Sequence, residues 1–457
     1  MKENQLFLDK VFRKFRKTIE TYGLLSDGDR ILVGLSGGKD SLALLEMLGR
    51  KKQSPYPHFS MVALHVSMEN IPYKADVDYL KQFAEKCGAE FVHVTTSFDP
   101  STDKRKSPCF LCSWNRRKML FSVAKEMNCN KIALGHHMVD QAETILLNIF
   151  RGSGIAGASG MDYVRDGVYI RPLLRTDRTE IMAYVNLNEI PYVDDETNEN
   201  SDFSRNYIRN MVMPLLRNRW GNVYQSICNF GELCKLDDDY IYSTINDNSV
   251  VYEGDGVVKV PVNFFSYPVA VTNRVLRKAF KGIGVNSDIE RKHLKIINNL
   301  AIEAENGSKI TLPNKVSVIK EYNYITITNR NFKPEPKTWE LTKGKIDIPN
   351  FGVLDCQVTR KFDIGEYSHL VDYNKIPKNA IWRYRKDGDI FTKFGGGTKS
   401  LSDYLIDEKI PARLRTYLPV LASGNEILII AGVEISDKVK VTDETKTAWA
   451  INAVRFN

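Results

Sequence analysis

The apolar residues of the first 216 positions follow two patterns that alternate along the chain. Short apolar runs at 31–35, 60–68, 90–96 and 131–137 are typical of buried strands. Between the second and third runs, the residues over 74–86 show the apolar spacing of an amphipathic helix, and helical segments also follow the first and last runs. This alternation of strand and helix predicts a doubly wound parallel α/β sheet.

The first apolar run ends in a Ser-Gly-Gly-Lys-Asp-Ser turn at 36–41, and a helical pattern follows it. The two glycines allow the backbone to approach a ligand because no Cβ intervenes. A helix N-terminus presents unpaired N–H groups, which suit a phosphate, and Asp40 in the same turn could hold a Mg²⁺ shared with that phosphate. We therefore predict a phosphate-binding loop at the carboxyl edge of the sheet; a glycine turn without a ligand is the alternative.

Two carboxylates follow the apolar run at 131–137. Asp140 and Glu143 are three positions apart in the next helical segment, so they share one helical face. Because that segment follows a strand end, we expect both side chains to point toward the crevice that holds the 36–41 turn. A solvated helix face is the alternative.

The second half of the chain has a different pattern. Helical spacing over 218–243, 267–282 and 288–304 is followed by short strand-like pieces, and a proline- and lysine-rich stretch at 331–337 is typical of a linker. We predict three domains: an α/β domain at 1–216, a mainly helical middle domain at 217–332 and a small α+β domain at 338–457.

Composition narrows the class of protein. A chain of 457 residues is too long for one core. Its net charge of +8 is a weak indication of a polyanionic partner. No apolar stretch reaches the length that spans a bilayer, and the first 17 residues lack the apolar core of a secretory signal. The seven cysteines are odd in number and unevenly spaced, which suits a reducing cytoplasm, so we expect a cytoplasmic protein without a membrane segment.

The pattern Ser-Gly-Gly-x-Asp-Ser after a strand resembles the PP-loop of the ATP pyrophosphatase superfamily. Those enzymes cleave ATP between the α and β phosphates and adenylate a substrate. The resemblance implies ATP and Mg²⁺ as cofactors, with the metal at Asp40. It also implies adenine near the end of the second strand, although strand packing explains the residues there equally well. The ATP-binding candidates are Ser36, Gly37, Gly38, Lys39, Asp40, Ser41, His65, Val66, Gly135 and His136.

Three further stretches resemble the tRNA-isoleucine lysidine synthetases. They are HHxxDQAET…RGSGxxGxxGM at 136–161, VDDETN…SRNYIRN at 193–210, and the C-terminal segment 381–453. The resemblance implies that AMP is transferred to C2 of the wobble cytidine in the CAU anticodon of tRNA-Ile. The ε-amine of free L-lysine then attacks that carbon. The implied partners are this tRNA and lysine; a homodimer stays open. The resemblance also implies that the domain at 1–216 carries out adenylation and that the domains at 217–332 and 338–457 contact the tRNA.

The same resemblance, read with the chemistry of the side chains, predicts a set of functional residues. Asp140 and Glu143 would grip lysine or a metal and accept a proton. Arginines would neutralise charge on the α-phosphate or hold the RNA backbone, with surface salt bridges as the alternative. The catalytic candidates are Asp40, Asp140, Glu143, Arg117 and Arg151. The candidates for lysine or tRNA contact are Asp140, Glu143, Arg205, Asn206, Arg209, Arg383, Arg385, Lys399, Arg413 and Arg415.

One cysteine pair departs from this pattern. Cys109-Phe-Leu-Cys112 resembles the Cys-x-x-Cys motif of the tRNA 2-thiocytidine synthetases, but residues 171–227 lack the second pair that family uses. A pair without chemistry is our first interpretation, a Zn²⁺ site with two further ligands the second, and sulfur transfer the third. The alternatives for the whole chain are therefore a tRNA cytidine 2-thiolation enzyme and a tRNA-binding protein without catalysis.

Overall fold

The computed structural model describes residues 2–69, 75–97, 108–193, 204–254, 256–285, 288–330, 335–360 and 368–455, without the side chains of 108–110, 247 and 455. The predicted stretches at 194–198 and 331–334 lie outside these ranges. The chain divides into two compact units, Met1–Tyr240 and Ile241–Asn457. The three-domain division stays a prediction.

The first unit contains alternating helices and strands. Its helices are α1 (Lys2–Thr21), α2 (Lys39–Lys52), α3 (Val77–Lys86), α4 (Pro108–Glu126), α5 (Met138–Phe150), α6 (Ile155–Ala158), α7 (Arg178–Leu187), α8 (Ser204–Tyr207), α9 (Met213–Arg219) and α10 (Val223–Ser243), whose last turn enters the second unit. Its strands are β1 (Asp29–Gly34), β2 (Phe59–Met68), β3 (Glu90–Thr96), β4 (Lys131–Ala133), β5 (Val164–Arg165) and β6 (Tyr169–Ile170). A π-helical turn, Ile208–Val212, joins α8 to α9.

The six strands form one sheet in the order β3-β2-β1-β4-β6-β5. Every neighbouring pair is parallel except β5 with β6. The chain builds outward from β1 to β2 and β3 and then returns to place β4 on the other side of β1. Ligands bind outside the carboxyl ends of strands at such a reversal, so β1 and β4 mark the expected site. The predicted doubly wound α/β sheet is confirmed.

Both faces of this sheet are covered. Ile31 and Val33 of β1 pack in a core cluster with residues of α1, α2 and α7. Leu32 points to the opposite face, where it packs in a second cluster that includes Leu120 of α4. Burial on both faces explains why β1 is a continuous apolar run rather than an alternating one.

The second unit is richer in strands. Its helices are α11 (Val269–Gly282), α12 (Arg291–Glu303), α13 (Leu401–Asp407) and α14 (Ala412–Arg415). Its strands are β7 (Val251–Tyr252), β8 (Val257–Pro261), β9 (Lys309–Thr311), β10 (Ser317–Glu321), β11 (Tyr324–Thr328), β12 (Thr338–Glu340), β13 (Gly344–Ile348), β14 (Gly352–Thr359), β15 (His369–Asp372), β16 (Ile381–Tyr384), β17 (Ile390–Thr392), β18 (Thr398–Ser400), β19 (Pro419–Ser423), β20 (Glu426–Ile430), β21 (Glu434–Ile435) and β22 (Ala448–Arg455).

These elements surround two separate cores. Strands β7-β8-β11-β10-β9 form an antiparallel sheet that shares a core with α11 and α12. A seven-stranded and a four-stranded sheet share the other core with α13. The region 217–332 therefore has the three long helices that its pattern predicts. The strand pieces before α11 and after α12 pair into a sheet of five, a tertiary arrangement that local spacing leaves undefined.

Within the described ranges, none of the helices combines the length and the apolar character that crossing a membrane requires.

Helix α2, which carries the 36–41 turn at its start, depends on a close contact at Gly49. A Cβ on Gly49 would lie 2.7 Å from the carbonyl oxygen of Cys87 and 3.2 Å from its Cα. In an exposed helix interior, replacing glycine by alanine gains about 1 kcal/mol. Here the overlap is with backbone, so we expect Gly49→Ala to reduce the free energy of unfolding by about 1–3 kcal/mol.

Thermal or urea unfolding of Gly49→Ala checks this expectation. Gly221→Ala is the matched control, because a Cβ at Gly221 meets no atom within 4 Å. Equal stability of the two variants would contradict the contact.

Candidate active site

The turn after β1 is held by its own hydroxyl groups. Gly37 has a φ of +86°, which favours glycine. The Gly38 N–H donates to Ser36 Oγ at 3.3 Å, and Ser41 Oγ donates to the Gly38 carbonyl at 2.9 Å. Gly38 is the N-cap of α2 without a side-chain cap, so the first N–H groups of that helix are left for a ligand.

Asp40 lies in the first turn of α2, where the loop passes close to the end of β4. A Cβ on Gly135 would lie 3.2 Å from the Asp40 carbonyl carbon, so only glycine fits without a shift. Lys39 Nζ lies 3.4 Å from Asp40 Oδ2. The other carboxylate oxygen, Oδ1, is buried and has no hydrogen-bond partner among the described residues. A buried carboxylate oxygen without a partner is what a cation site requires, so Asp40 fits the predicted Mg²⁺.

His137 connects this turn to the second predicted carboxylate. Its Nε2 lies 3.7 Å from Asp40 Oδ1, and its Nδ1 lies 3.4 Å from Asp140 Oδ2. The His137 backbone N–H also donates to Asp140 Oδ2 at 3.1 Å, as the N-cap of α5. The imidazole of His137 therefore lies between the two aspartates, which come together at the β1/β4 reversal. His137 is not among the residues predicted from the sequence, although His136 is. Its place directly before the first residue of α5, the N-cap position, could have indicated it.

Asp140 and Glu143 are bridged by one arginine. Arg209 Nε donates to Glu143 Oε1 at 2.7 Å, and Nη2 donates to Glu143 Oε2 at 2.7 Å and to Asp140 Oδ1 at 3.0 Å. Glu143 has no exposed side-chain surface, whereas 15% of the Asp140 side chain is exposed. Arg209 comes from the π-helical turn, a local widening that often marks functional sites.

The two carboxylates respond differently to their surroundings. Burial raises the pKa of Glu143, and the hydrogen bonds from Arg209 offset this only in part. Burial also acts to raise the pKa of Asp140, but His137, His136 and Arg209 together hold it below its ordinary value. Of these two carboxylates, Asp140 is thus the one that stays ionised more readily, and it keeps some exposed surface.

Two further predicted residues lie beside this cluster. Arg205 Nη2 donates to Thr144 Oγ1 at 2.6 Å, one turn of α5 beyond Asp140. Burial lowers the pKa of His136 to about 4, so its imidazole is neutral at physiological pH. Its buried Nδ1 has no hydrogen-bond partner among the described residues. Asn206 is half-buried on the α8 turn that carries Arg205.

A cleft opens between the ends of β1 and β2 and helix α4. Buried His65 lines it, with its Nδ1 held at 2.8 Å from the Leu35 carbonyl oxygen, and burial lowers the pKa of His65. Half-buried Val66 lines it too, as the adenine prediction requires. The basic side chain at this cleft is Arg116, whose buried Nε has no hydrogen-bond partner among the described residues.

Arg117 and Arg151 lie elsewhere. Arg117 is exposed on α4, and its Nε donates to the Ser113 carbonyl of the same helix. Helical phase identifies Arg116 instead, since it is four positions from Leu120, which also lines the cleft. Arg151 is exposed at the C-cap of α5, about 16 Å along the helix from Asp140. The structure does not bring either residue into the cluster, and their catalytic roles stay predictions.

Two predicted tRNA contacts are corrected by the structure. Arg383 is buried and makes two hydrogen bonds to Asp389, at 2.9 and 2.7 Å. Arg413 is buried against Glu321, at 3.0 Å, and Glu253. Both guanidinium groups are neutralised inside the second unit, so they hold elements together and do not face a phosphate.

The other predicted contacts of the second unit remain accessible in part. Arg385 is half-buried and lines a groove with Lys337 and Lys386. Lys399 pairs with Asp407 at 2.5 Å, and Arg415 donates to the Tyr322 hydroxyl at 3.2 Å. Phosphate contact by Arg385, Lys399 and Arg415 stays a prediction.

The cysteine pair shows no metal centre in the part of the chain that is described. Cys112 is buried in α4, and the side chain of Cys109 lies outside the description. Among the described side chains, no group of three or more His, Cys, Asp or Glu residues is placed to hold a metal ion. The Zn²⁺ interpretation therefore has no second pair of ligands among them.

A glycine-rich loop at the sheet reversal, with an acidic first helical turn and a second acidic helix facing it, defines a nucleotide-binding PP-loop protein. A model described as "PP-loop domain" matches residues 8–216, and one described as "TilS substrate C-terminal domain" matches residues 380–452.

The chain is similar over nearly its whole length to curated relatives. It is 31% identical to the tRNA(Ile)-lysidine synthase of Clostridium tetani, covering 95% of this chain and 96% of the relative. It is 30% identical to the enzyme of that name from Caldanaerobacter subterraneus, over 96% and 97%. The chain belongs to the tRNA(Ile)-lysidine synthase family, and members of this family are ligases that form a carbon–nitrogen bond.

Solved structures add less. The U34-tRNA thiolase NcsA from Methanococcus maripaludis, with its [4Fe-4S] cluster, is 25% identical, with a TM-score of 0.44 over 51% of this chain and 80% of that one. A likeness at that level carries no weight for activity. The full-length relatives favour lysidine synthesis over the thiolation alternative.

The buried ion pair between Arg209 and Glu143 should contribute to the stability of the fold. Removing one partner of a buried ion pair costs about 3–5 kcal/mol because the other charge is left buried. Since 21% of the Arg209 side chain is exposed, we expect Glu143→Gln to reduce the free energy of unfolding by roughly 1–3 kcal/mol.

A double-mutant cycle of Glu143→Gln with Arg209→Gln measures the coupling by urea unfolding. We expect the double variant to be less destabilised than the two single variants summed, because no uncompensated charge remains. Simple additivity would show that the two side chains do not interact.

Proposed function

We propose that this chain uses ATP to join free L-lysine to the wobble cytidine of a tRNA-Ile with a CAU anticodon, releasing AMP and pyrophosphate. The observation that carries the proposal is that His137 lies between Asp40 and Asp140, 3.7 Å from one carboxylate and 3.4 Å from the other. One carboxylate belongs to the phosphate-binding turn and the other to the helix that faces it. A nucleotide and an amine can therefore meet there.

In the first half-reaction, O2 of the cytidine attacks the α-phosphorus of ATP, and the bond to the β-phosphate oxygen breaks. The pyrophosphate leaves toward the N–H groups at the start of α2, whose dipole favours negative charge. Asp40 would hold Mg²⁺, which supplies positive charge to the phosphates when bound. We assign Arg116, which lines the cleft, to offset charge on the α-phosphate.

In the second half-reaction, the ε-amine of lysine attacks C2 of the cytidine and AMP leaves. An amine of ordinary pKa about 10.4 must lose a proton before it can attack. Asp140 is the carboxylate that we assign to orient the amine and take up this proton, because part of its side chain is exposed whereas Glu143 is fully buried.

Glu143 receives a different role. Both of its oxygens accept hydrogen bonds from Arg209, and none of its side chain is exposed. We assign Glu143 as a positioning residue that holds Arg209 beside Asp140. Arg209 would then offset the negative charge of Asp140 until the substrate ammonium arrives.

The second unit would extend contact along the tRNA. Arg385, Lys399 and Arg415 are the basic residues that we assign to phosphates there. A cytoplasmic location is part of this proposal, and a homodimer stays an open prediction.

The proposal is tested by supplying purified protein with ATP, labelled lysine and the CAU-anticodon tRNA-Ile. Label should enter the tRNA, and pyrophosphate should be released in equal amount. Asp40→Ala should reduce both by about 100-fold or more, since a preorganised electrostatic partner of the phosphates is lost.

Asp78→Ala is the matched control, because Asp78 is exposed on α3. Wild-type protein that binds the tRNA but incorporates no lysine would overturn the proposed reaction. Full activity of Asp40→Ala would overturn the role of the turn.

A further inference from the structure

Helix α11 carries a row of cations on one side. Its basic residues, Arg274, Arg277, Lys278 and Lys281, recur at intervals of three and four, so they lie within an arc of about 100°. The positions that α11 buries are on the opposite side; they are Thr272, Val275, Leu276, Ala279 and Phe280. We call the row of four basic residues the α11 stripe.

Two features distinguish the stripe from an ordinary solvated face. The sequence of α11 contains no aspartate or glutamate, so the helix supplies no carboxylate of its own to neutralise its four cations. Arg277 and Lys281 are exposed, and they border a groove with Tyr242, in which cations outnumber the one carboxylate of the lining, Asp288. The Arg274 guanidinium lies 5.9 Å from the centre of the Tyr242 ring, and 40% of Tyr242 is exposed.

Helix α1 shows why spacing alone is insufficient. Lys10, Arg13, Lys14 and Lys17 have the same intervals. There, however, Lys14 pairs with Glu180 of α7 at 2.7 Å, and the helix carries Asp9 on its own sequence. The α1 cations are therefore neutralised in part by the fold.

The chemistry of the stripe selects its partner. A helix that lies on a lipid surface needs an apolar face to insert, and the apolar face of α11 is already buried in the core of its own unit. What remains is a row of cations beside an exposed aromatic ring, a combination that suits a polynucleotide backbone with unpaired or terminal bases. The row is about 10 Å long, enough to meet more than one phosphate of a strand.

We propose that the α11 stripe binds the sugar–phosphate backbone of the tRNA, through Arg277 and Lys281 above all. This rests on the proposed function, which supplies a tRNA as the polyanion. The stripe contributes affinity without reading sequence, because phosphate contacts carry no base information.

The test compares two double charge reversals. Arg277→Glu with Lys281→Glu changes the stripe; Lys343→Glu with Lys345→Glu is the matched control, at exposed positions of the same unit. Both lower the net charge by the same amount, so long-range attraction falls equally and only a local contact separates them. Binding of the CAU-anticodon tRNA-Ile is measured between about 50 and 200 mM salt.

We expect the stripe variant to bind at least about tenfold more weakly than the control. Its slope of log affinity against log salt should fall by about 1.5, as for two lost phosphate contacts. In the lysine assay the loss should appear in the KM for tRNA and leave the KM for lysine unchanged. The neutral double variant, Arg277→Gln with Lys281→Gln, should show about half the loss of tRNA affinity. It replaces the charge-reversal variant as the test if that variant does not fold.

Equal affinity and equal salt slope for the stripe and control variants would overturn the inference. That outcome leaves the proposed reaction standing if wild-type protein incorporates lysine. Conversely, the wild-type protein could bind tRNA in a way that depends on the α11 stripe and yet incorporate no lysine. That outcome would overturn the proposed reaction and support the stripe as a tRNA-binding surface.

Discussion

The site depends on the balance of charge around two acidic helical turns, one at the start of α2 and one at the start of α5, that are linked through His137. Asp40, Asp140 and Glu143 bring three carboxylates to one end of the sheet, and only partial solvation is available there. Arg209 and the ring of His137 lie between them. Without these groups, the carboxylates would repel one another, and the cost of burying their charge would be uncompensated.

The three carboxylates differ in burial and in hydrogen bonding, and we propose different roles for them on that basis. Glu143 is fully buried and both of its oxygens accept hydrogen bonds from Arg209, which is why we propose a positioning role for it. Asp140 and Asp40 each keep some exposed surface, and one oxygen of Asp40 has no hydrogen-bond partner among the described residues. Carboxylate oxygens of this kind beside helix N-termini have the chemistry that the proposed Mg²⁺ and phosphates require.

Arginine has contrasting uses in the two units. In the second unit, Arg383 and Arg413 neutralise buried carboxylates, Arg383 that of nearby Asp389 and Arg413 that of Glu321, which is distant in sequence. Helix α11 instead places its cations outward and its apolar residues inward. Residue type alone therefore does not distinguish an arginine that is available to RNA from one that stabilises the fold. The two differ in how deeply the guanidinium group is buried and in how close the nearest carboxylate lies.

The sequence by itself determined the doubly wound sheet, the phosphate-binding turn and the pairing of Asp140 with Glu143. These features follow from local spacing: strand runs, a glycine turn and a three-residue interval on a helix. It did not determine that His137 lies between the aspartates, that Arg116 and not Arg117 lines the cleft, or that Arg383 and Arg413 are buried. Those outcomes depend on which side of an element faces its neighbours and on charges brought together from positions far apart in the chain. Only tertiary packing decides both, because burial and the nearest opposite charge are properties of the assembled unit.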